Sequence, residues 1–464
     1  MGKLFGTDGI RGVANHYPIT VEMALSIGRA AAFFAFRQGF ASIVIGKDTR
    51  ASGDMLESAL SAGIAAMGMD VFTAGVIPTP GVAFLTSRMD DAGLGIVISA
   101  SHNPYQDNGI KFFNADGRKL TDEEEDELET CIIDFQSGSD PVAKPGPDAV
   151  TGRISPLPNA IDTYARFLKD TWPEGFNTPV NVSERVSIVI DCANGASGSV
   201  APLVFEGPRF DVNFIFNTPD GRNINKNCGS QHTETLSKTV LSSRAHIGLA
   251  FDGDSDRLVA VDEKGETITG DRILAICAGW AKDRGRLAGN CVVSTVMSNI
   301  GLTKALESKA IRHIIAGVGD RDVKKKMDET GAVMGGEDSG HMIFADHHST
   351  GDGILTAIRL LEVMTDTGKP LSELASVMAV YPQILMNVEV DASRPDFMKI
   401  ADIANEISAV EAELNNSGRV LVRYSGTQPL LRVMVEGPDL ETTQAFCRRI
   451  CDAIRNNMQI GVKP

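Results

Sequence analysis

Short apolar runs without polar–apolar alternation recur along this chain, each separated from the next by a stretch of helical period. That pattern restricts it to layered α/β folds. Residues 42–46, 71–76, 186–191, 247–251 and 291–295 are such runs, with 212–216, 258–261 and 311–316 beside them. A strand with one wet face alternates, whereas a strand covered by helices on both faces has no need to. Residues 21–37, 54–67, 160–169, 233–243, 271–282, 300–308 and 320–329 carry the intervening helical pattern, and 351–365 repeats it. Residues 121–135 read as a helix whose acidic first turn suits the helix dipole. Residues 136–158, rich in Gly, Ser, Pro and Asp, read as a linker or excursion. The tail differs. Residues 384–390, 418–423 and 430–436 read as strands of a mostly antiparallel sheet, with helices at 396–414 and 440–456, which is a smaller α+β arrangement.

With 464 residues, 43% of them hydrophobic, the chain has material for about three or four domains with cores of their own. Its net charge of -16 argues against sequence-independent nucleic-acid binding, so an anionic substrate needs local basic residues. Seven cysteines, odd in number and scattered, read as reduced thiols of a cytoplasmic protein. Cys447 and Cys451 fall at helical spacing on an apolar stripe, where packing explains them better than metal binding. The N-terminus shows no signal-peptide core, and no apolar run is long enough to span a membrane.

Five segments hold residues able to do chemistry. Ser101-His102-Asn103-Pro104 follows an apolar run and places a hydroxyl on a sharp turn where it can face a cleft. A serine needs a proton acceptor or charge stabilisation to act as a nucleophile, and His102 and Lys111 are close in sequence; the same residues would also serve as a plain polar turn. Asp252-Gly253-Asp254-Ser255-Asp256-Arg257 alternates three carboxylates that can surround one hard divalent cation. It begins like an EF-hand loop, but Arg257 stands where that loop requires glycine. Gly335-Gly336-Glu337-Asp338-Ser339-Gly340-His341 combines a carboxylate, a hydroxyl and an imidazole, suited to sugar hydroxyls or to a simple strand-to-strand turn. Arg423-Tyr424-Ser425-Gly426-Thr427-Gln428-Pro429, with Arg432 beyond, forms a phosphate nest in composition. Gly6-Thr7-Asp8-Gly9-Ile10-Arg11-Gly12 is another glycine-rich loop with one arginine. A hydroxyl able to carry a phosphoryl group and a carboxylate trio able to hold magnesium together point to phosphoryl transfer.

Taken in order, these five segments resemble the α-D-phosphohexomutases, and the resemblance spans essentially the whole chain. It implies three successive similar α/β domains plus a smaller C-terminal α+β domain around a central active-site cleft. They would occupy 1–137 with the phosphoserine loop, 158–256 with the metal-binding loop, 257–369 with the sugar-binding loop, and 376–464 with the phosphate-binding loop. By the same resemblance Ser101 carries the phosphoryl group, and with Asp252, Asp254 and Asp256 it holds one Mg²⁺. Arg11 and Arg257 stabilise the transferred group, and His102 belongs to the catalytic set. Lys111 is the general acid/base, its pKa depressed by neighbouring cations. Glu337, Ser339 and His341 grip the sugar, while Arg423, Ser425, Gly426 and Thr427 keep its existing phosphate. A sugar bisphosphate acts as activator. The expected partner is a small hexose phosphate, with no nucleic acid and no membrane; a homodimer is compatible with the reading.

Within the family, Asn223-Ile224-Asn225, Cys228-Gly229-Ser230 and Gly317-Val318-Gly319-Asp320-Arg321 resemble the branch that interconverts glucosamine 6-phosphate and glucosamine 1-phosphate. The alternative is mannose or glucose phosphate. Three places depart from the branch pattern: Asp338, Ser255, and Tyr424 with Gln428. Asp338 adds a carboxylate near the sugar-discriminating contact, which would favour the ammonium of an amino sugar. More distant alternatives are a phosphoserine hydrolase and a noncatalytic sugar-phosphate sensor. The phosphate nest disfavours the first, and the intact serine, aspartates and Lys111 disfavour the second.

Overall fold

The computed structural model describes residues 4–6, 8–138, 150–174, 176, 178, 180–181, 184–391, 393–425 and 429–458. By contact the chain divides into two compact units, Met1–Val296 with Ile311–Ser376, and Met297–Ala310 with Val377–Pro464.

The first unit holds three sheets. In the first, six strands run in the order Ile10–Val13, Asp107–Asn114, Ala92–Ile98, Ser42–Lys47, Asp70–Val76 and Ile154–Pro156. Ser42–Lys47 pairs in parallel with both of its neighbours. Every residue of Ala92–Ile98 is buried, which explains the missing alternation in its sequence. The helix Val21–Arg37 starts where the Thr20 side chain accepts from the Met23 amide. It crosses the helix Gly53–Ala66 at a glycine pair. A Cβ on Gly28 would lie 2.3 Å from the Leu60 carbonyl oxygen, and one on Gly63 2.3 Å from that of Leu25. The helix Asp122–Ser137 opens on a full capping box between Thr121 and Glu124. Of the expected linker, residues 139–149 lie outside the described residues, and Ile154–Pro156 extends the first sheet alongside Asp70–Val76.

The second sheet has the order Thr267–Ile268, Leu258–Asp262, Ile247–Phe251, Val186–Asp191, Phe210–Ile215. Here the structure corrects the sequence reading. The run 258–261, expected to open the third α/β unit, pairs antiparallel with Ile247–Phe251 and belongs to the second sheet. The aspartate loop is therefore the turn of a β-hairpin. The third sheet runs Arg312–Ala316, Cys291–Thr295, Met334–Gly336, Met342–Phe344, and the last two strands form the hairpin whose turn is Glu337–His341.

The second unit contains the antiparallel sheet Gln383–Glu389, Leu430–Glu436, Arg419–Tyr424 and the helices Ala401–Leu414 and Leu440–Asn457. Cys447 and Cys451 are fully buried in its core with Ile450, Ile454 and Val433, as packing residues. All seven cysteines are free and buried. Among the described residues no helix is long and apolar enough to cross a membrane.

Candidate active site

The strand Ala92–Ile98 delivers Ser101 onto a turn in which its φ is 52°, in the left-handed region that non-glycine residues rarely adopt. Its amide donates to the Ser99 hydroxyl at 2.9 Å, and its own hydroxyl donates to Asp252 Oδ2 at 2.6 Å. The serine of the first sheet and the aspartate hairpin of the second are thus in direct contact. Gly253 allows this approach: a Cβ there would lie 2.6 Å from the Ser101 carbonyl oxygen. Ser101 is fully buried, so the structure replaces an expected open position with one enclosed by polar groups. His102 Nδ1 lies 3.3 Å from Ser101 Oγ. Burial, with the positive charges of Arg257 and Arg11, lowers the His102 pKa to about 4, so the ring is neutral near pH 7.

Asp252, Asp254 and Asp256 are all buried, and each offers a carboxylate oxygen within 4.8 Å of the others. Burial, reinforced by the carboxylates of Asp256 and Asp254, raises the Asp252 pKa well above the usual range. Burial alone would also raise Asp256, but Lys111, His341 and Arg257 hold it well below. Asp254 Oδ2 accepts from Lys111 Nζ at 2.8 Å and from the Thr79 hydroxyl at 2.6 Å. The Oδ1 atoms of Asp254 and Asp256 are buried without a hydrogen-bond partner. Orphaned carboxylate oxygens in a convergent trio are the donor set that a hard divalent cation takes, so the residues fit a metal.

Lys111 lies on the strand Asp107–Asn114, 1% exposed. Its Nζ is 2.8 Å from Asp254, 3.1 Å from Asp8 and 3.5 Å from Asp256. Burial opposes its charge, yet the three carboxylates outweigh burial and raise its pKa. The expected depression by neighbouring cations is overturned: the groups facing Lys111 are mostly acids. Arg11 pairs with Asp8, and Asp8 also meets Lys119 Nζ at 2.5 Å. Arg257 lies 3.7 Å from Asp256, and Asp256 and Asp252 keep it charged against burial.

The hairpin turn brings Glu337, Ser339 and His341 to the same region, where His341 bridges to Arg257 as an isolated β-pair. Glu337 Oε1 accepts from the Gly319 amide at 3.2 Å, and Ser339 donates to Glu337 Oε2 at 3.4 Å. The His341 ring is 3% exposed, with Nδ1 3.6 Å from Asp256 and Nε2 3.3 Å from Asp320. It ties the aspartate hairpin to the helix Asp320–Thr330. Asp338 is exposed, but one of its carboxylate oxygens accepts from the Asp271 amide at 3.3 Å, in the first turn of the helix Gly270–Asp283. The carboxylate thus serves a helix start as well as the solvent.

In the second unit, Arg423 and Arg432 are directly opposed across two antiparallel strands. Burial, together with the facing Arg432, lowers the Arg423 pKa. Arg432 Nη2 reaches Ser425 Oγ at 3.5 Å, and Arg432 Nε is buried without a partner. Like charges opposed on a sheet are unfavourable alone and favourable around an anion. Gly426 and Thr427 lie outside the described residues. Thr79, Asp8, Lys119, Asp320 and the pair Asp48–Arg50 complete the first-unit cluster, and the sequence reading did not single them out for it. Asp8 and Asp320 stood inside segments it quoted; the others carried no local signal.

Three α/β sheets in succession and a smaller antiparallel tail sheet are the architecture that the resemblance to the phosphohexomutases led us to expect. Comparison with known proteins agrees. Phosphoglucomutase/phosphomannomutase family models match in four consecutive pieces: α/β/α domain I over residues 2–137, domain II over 162–265, domain III over 269–381 and the C-terminal domain over 385–453. The chain belongs to the phosphoglucomutase/phosphomannomutase family, whose enzymes are intramolecular phosphotransferases. It is 62% identical to the phosphoglucosamine mutase of Desulforapulum autotrophicum, over 98% of this chain and 99% of that one. To the phosphoglucosamine mutase of Syntrophus aciditrophicus it is 52% identical, over 99% and 100%. Among solved structures it is similar to a phosphoglucomutase/phosphomannomutase family protein from Burkholderia thailandensis, with TM-score 0.79 and 25% identity over 99% and 98% of the two chains. It shares its fold with the N-acetylphosphoglucosamine mutase of Aspergillus fumigatus, solved in complex with GlcNAc-6P and magnesium, with TM-score 0.67 and 17% identity over 99% and 97%.

Proposed function

We propose that this enzyme interconverts glucosamine 6-phosphate and glucosamine 1-phosphate through phosphorylated Ser101 and a bisphosphorylated sugar. The observation that carries the phosphoryl relay is the Ser101 hydroxyl on Asp252 at 2.6 Å, inside the buried aspartate trio. The choice of sugar rests on the phosphoglucosamine mutases that match over the full chain. Asp252, Asp254 and Asp256, with the phosphate on Ser101, would hold one Mg²⁺, which neutralises charge between phosphate oxygens and carboxylates.

In the first transfer, the bond between phosphorus and Ser101 Oγ breaks, and a sugar hydroxyl oxygen bonds to the phosphorus and loses its proton. In the second, the other phosphate of the bisphosphorylated sugar returns to Ser101 Oγ, and the departing sugar oxygen gains a proton. Lys111 is the residue for both proton moves. Its ammonium form, favoured by three carboxylates, donates to the departing sugar oxygen in the second transfer the proton that Nζ takes from the sugar hydroxyl in the first. Arg11 and Arg257 supply positive charge to the phosphoryl group in flight. His102, neutral beside Ser101, orients the loop hydroxyl. Glu337, Ser339 and His341 take the sugar, the His341 ring being held between Asp256 and Asp320. Arg423 and Ser425, with Gly426 and Thr427, bind the phosphate that is not being transferred. A sugar bisphosphate primes Ser101. Seven unpaired thiols fit a reducing cytoplasm.

The test is a coupled assay on purified protein with Mg²⁺ and a trace of sugar bisphosphate, comparing glucosamine, glucose and mannose 6-phosphates. The highest kcat/KM on glucosamine 6-phosphate is expected. Preference for glucose or mannose phosphate would keep the phosphoserine relay and refute the sugar.

A further inference from the structure

Behind the serine turn lies a buried arginine that takes no part in the relay described above. Arg50 is 2% exposed, and its guanidinium is committed to one short piece of backbone. Nη2 donates to the carbonyls of Ser101 at 2.9 Å and Asn103 at 2.8 Å, and Nη1 donates to those of Asp107 at 3.0 Å and Pro104. The remaining edge is held by Asp48: Arg50 Nε reaches Asp48 Oδ2 at 2.9 Å, and the Arg50 amide reaches Oδ1 at 2.9 Å. The same Asp48 Oδ2 accepts the Ser99 hydroxyl at 2.7 Å, and Ser99 Oγ accepts the Ser101 amide. From the second α/β layer, Asn225 Nδ2 donates to the carbonyls of Ser101 and Asn103, both at 2.9 Å.

A turn this sharp points four carbonyls inward, where each needs a donor. A planar guanidinium offers five donors in a fixed fork and can meet all four at once, which a lysine ammonium cannot. Asp48 balances the charge of Arg50, so what Arg50 supplies at the site is geometry rather than field. Its contacts converge on the residue that carries the nucleophilic oxygen in left-handed backbone. Gly253, in the turn of the aspartate hairpin, lies against the same Ser101 carbonyl and beside Asn225 Nδ2. The serine turn is thus held by donors from two separate segments, Arg50 and Asn225, with the aspartate hairpin packed against it.

We propose that Arg50 is a positioning residue for phosphoryl transfer, acting with Asn225 on the carbonyls of Ser101 and Asn103 to keep Ser101 Oγ in line for the phosphorus. The inference rests on the function proposed above. Loss of the fork lets the turn relax, and a displacement of about 1 Å at a reacting atom lowers turnover by roughly 100-fold. The experiment compares full-length wild type with R50K, R50Q and N225A at saturating Mg²⁺ and sugar bisphosphate. It reads kcat and KM for glucosamine 6-phosphate, Ser101 phosphorylation by mass spectrometry, and thermal unfolding. Arg50→Gln is expected to lower kcat about 100-fold with KM within about twofold, and added guanidinium ion is expected to recover part of it. Arg50→Lys and Asn225→Ala, which keep the charge or the fork, are expected to lower kcat by about tenfold each. If R50Q does not fold, R50K and N225A carry the test. A kcat within about threefold of wild type for folded R50K and N225A, or a loss confined to KM, overturns the positioning role. A wild-type enzyme inactive on every hexose phosphate would instead remove the underlying reading of function.

Discussion

Ser101 shows how much chemistry one backbone conformation can arrange. Its left-handed φ turns the hydroxyl onto Asp252 and the carbonyl toward Arg50 and Asn225. Substituting Ser101→Ala should lower mutase activity by roughly a thousandfold or more in the coupled assay while leaving the circular dichroism spectrum unchanged. His102 offers a pH prediction. Its folded pKa of about 4 lies below the ordinary 6.5 because burial and two arginines disfavour the imidazolium. Between those values the unfolded chain binds the proton and the folded chain does not, so the stability due to neutral His102 is complete above pH 6.5 and is lost as pH falls toward 4. An NMR titration should place the His102 midpoint near 4, and His102→Gln should flatten the fall in melting temperature over that window. A midpoint near 6.5 would refute the burial argument. Ser101 and the aspartates were legible because the chemistry of each sits within a few consecutive residues. Arg50 and Thr79 were not, because their partners lie 51 and 175 positions away.

Two elements decide how the site is assembled. The hairpin Ile247–Phe251/Leu258–Asp262 carries the aspartates in its turn, and Gly253 lets that turn touch the serine loop. Gly253→Ala puts a methyl group 2.6 Å from the Ser101 carbonyl oxygen, so the two turns must separate. Activity should fall by at least about tenfold, accompanied by weaker Mg²⁺ binding in calorimetry. The helix Asp122–Ser137 is a contrasting case. Thr121→Ala removes its capping box and should destabilise it by about 1 kcal/mol, seen as faster amide exchange in its first turn, with kcat unchanged. The run 258–261 was misassigned from sequence because an apolar pentapeptide reads the same in either sheet. Its partner is set by the antiparallel return of the hairpin, a pairing no local pattern records.

At the level of the molecule, burial and the neighbouring Asp256 and Asp254 carboxylates disfavour the ionised form of Asp252, a penalty that a divalent cation on the trio relieves. Removing divalent metal with EDTA should abolish activity and lower the melting temperature, and Mg²⁺ should restore both; at a hundredfold excess over Kd the gain is about 2.7 kcal/mol. Identical melting with and without Mg²⁺ would refute the metal assignment. In the second unit, opposed Arg423 and Arg432 should make the protein more stable in phosphate than in chloride of equal ionic strength. Arg423→Ala should remove that difference and raise KM for the sugar phosphate by roughly tenfold.

The sequence alone determined the fold class and the family, and singled out the serine and the aspartates that the fold brings together, because hydrophobic period and short motifs are local properties of the chain. Tertiary structure alone decided that Lys111 faces acids, that His341 bridges Asp256 and Asp320, that Asp338 meets a helix start, and that Arg50 holds the serine turn. Electrostatic and hydrogen-bonding environments are set by whichever distant residues folding brings within a few ångströms, and the order of residues along the chain does not state that distance.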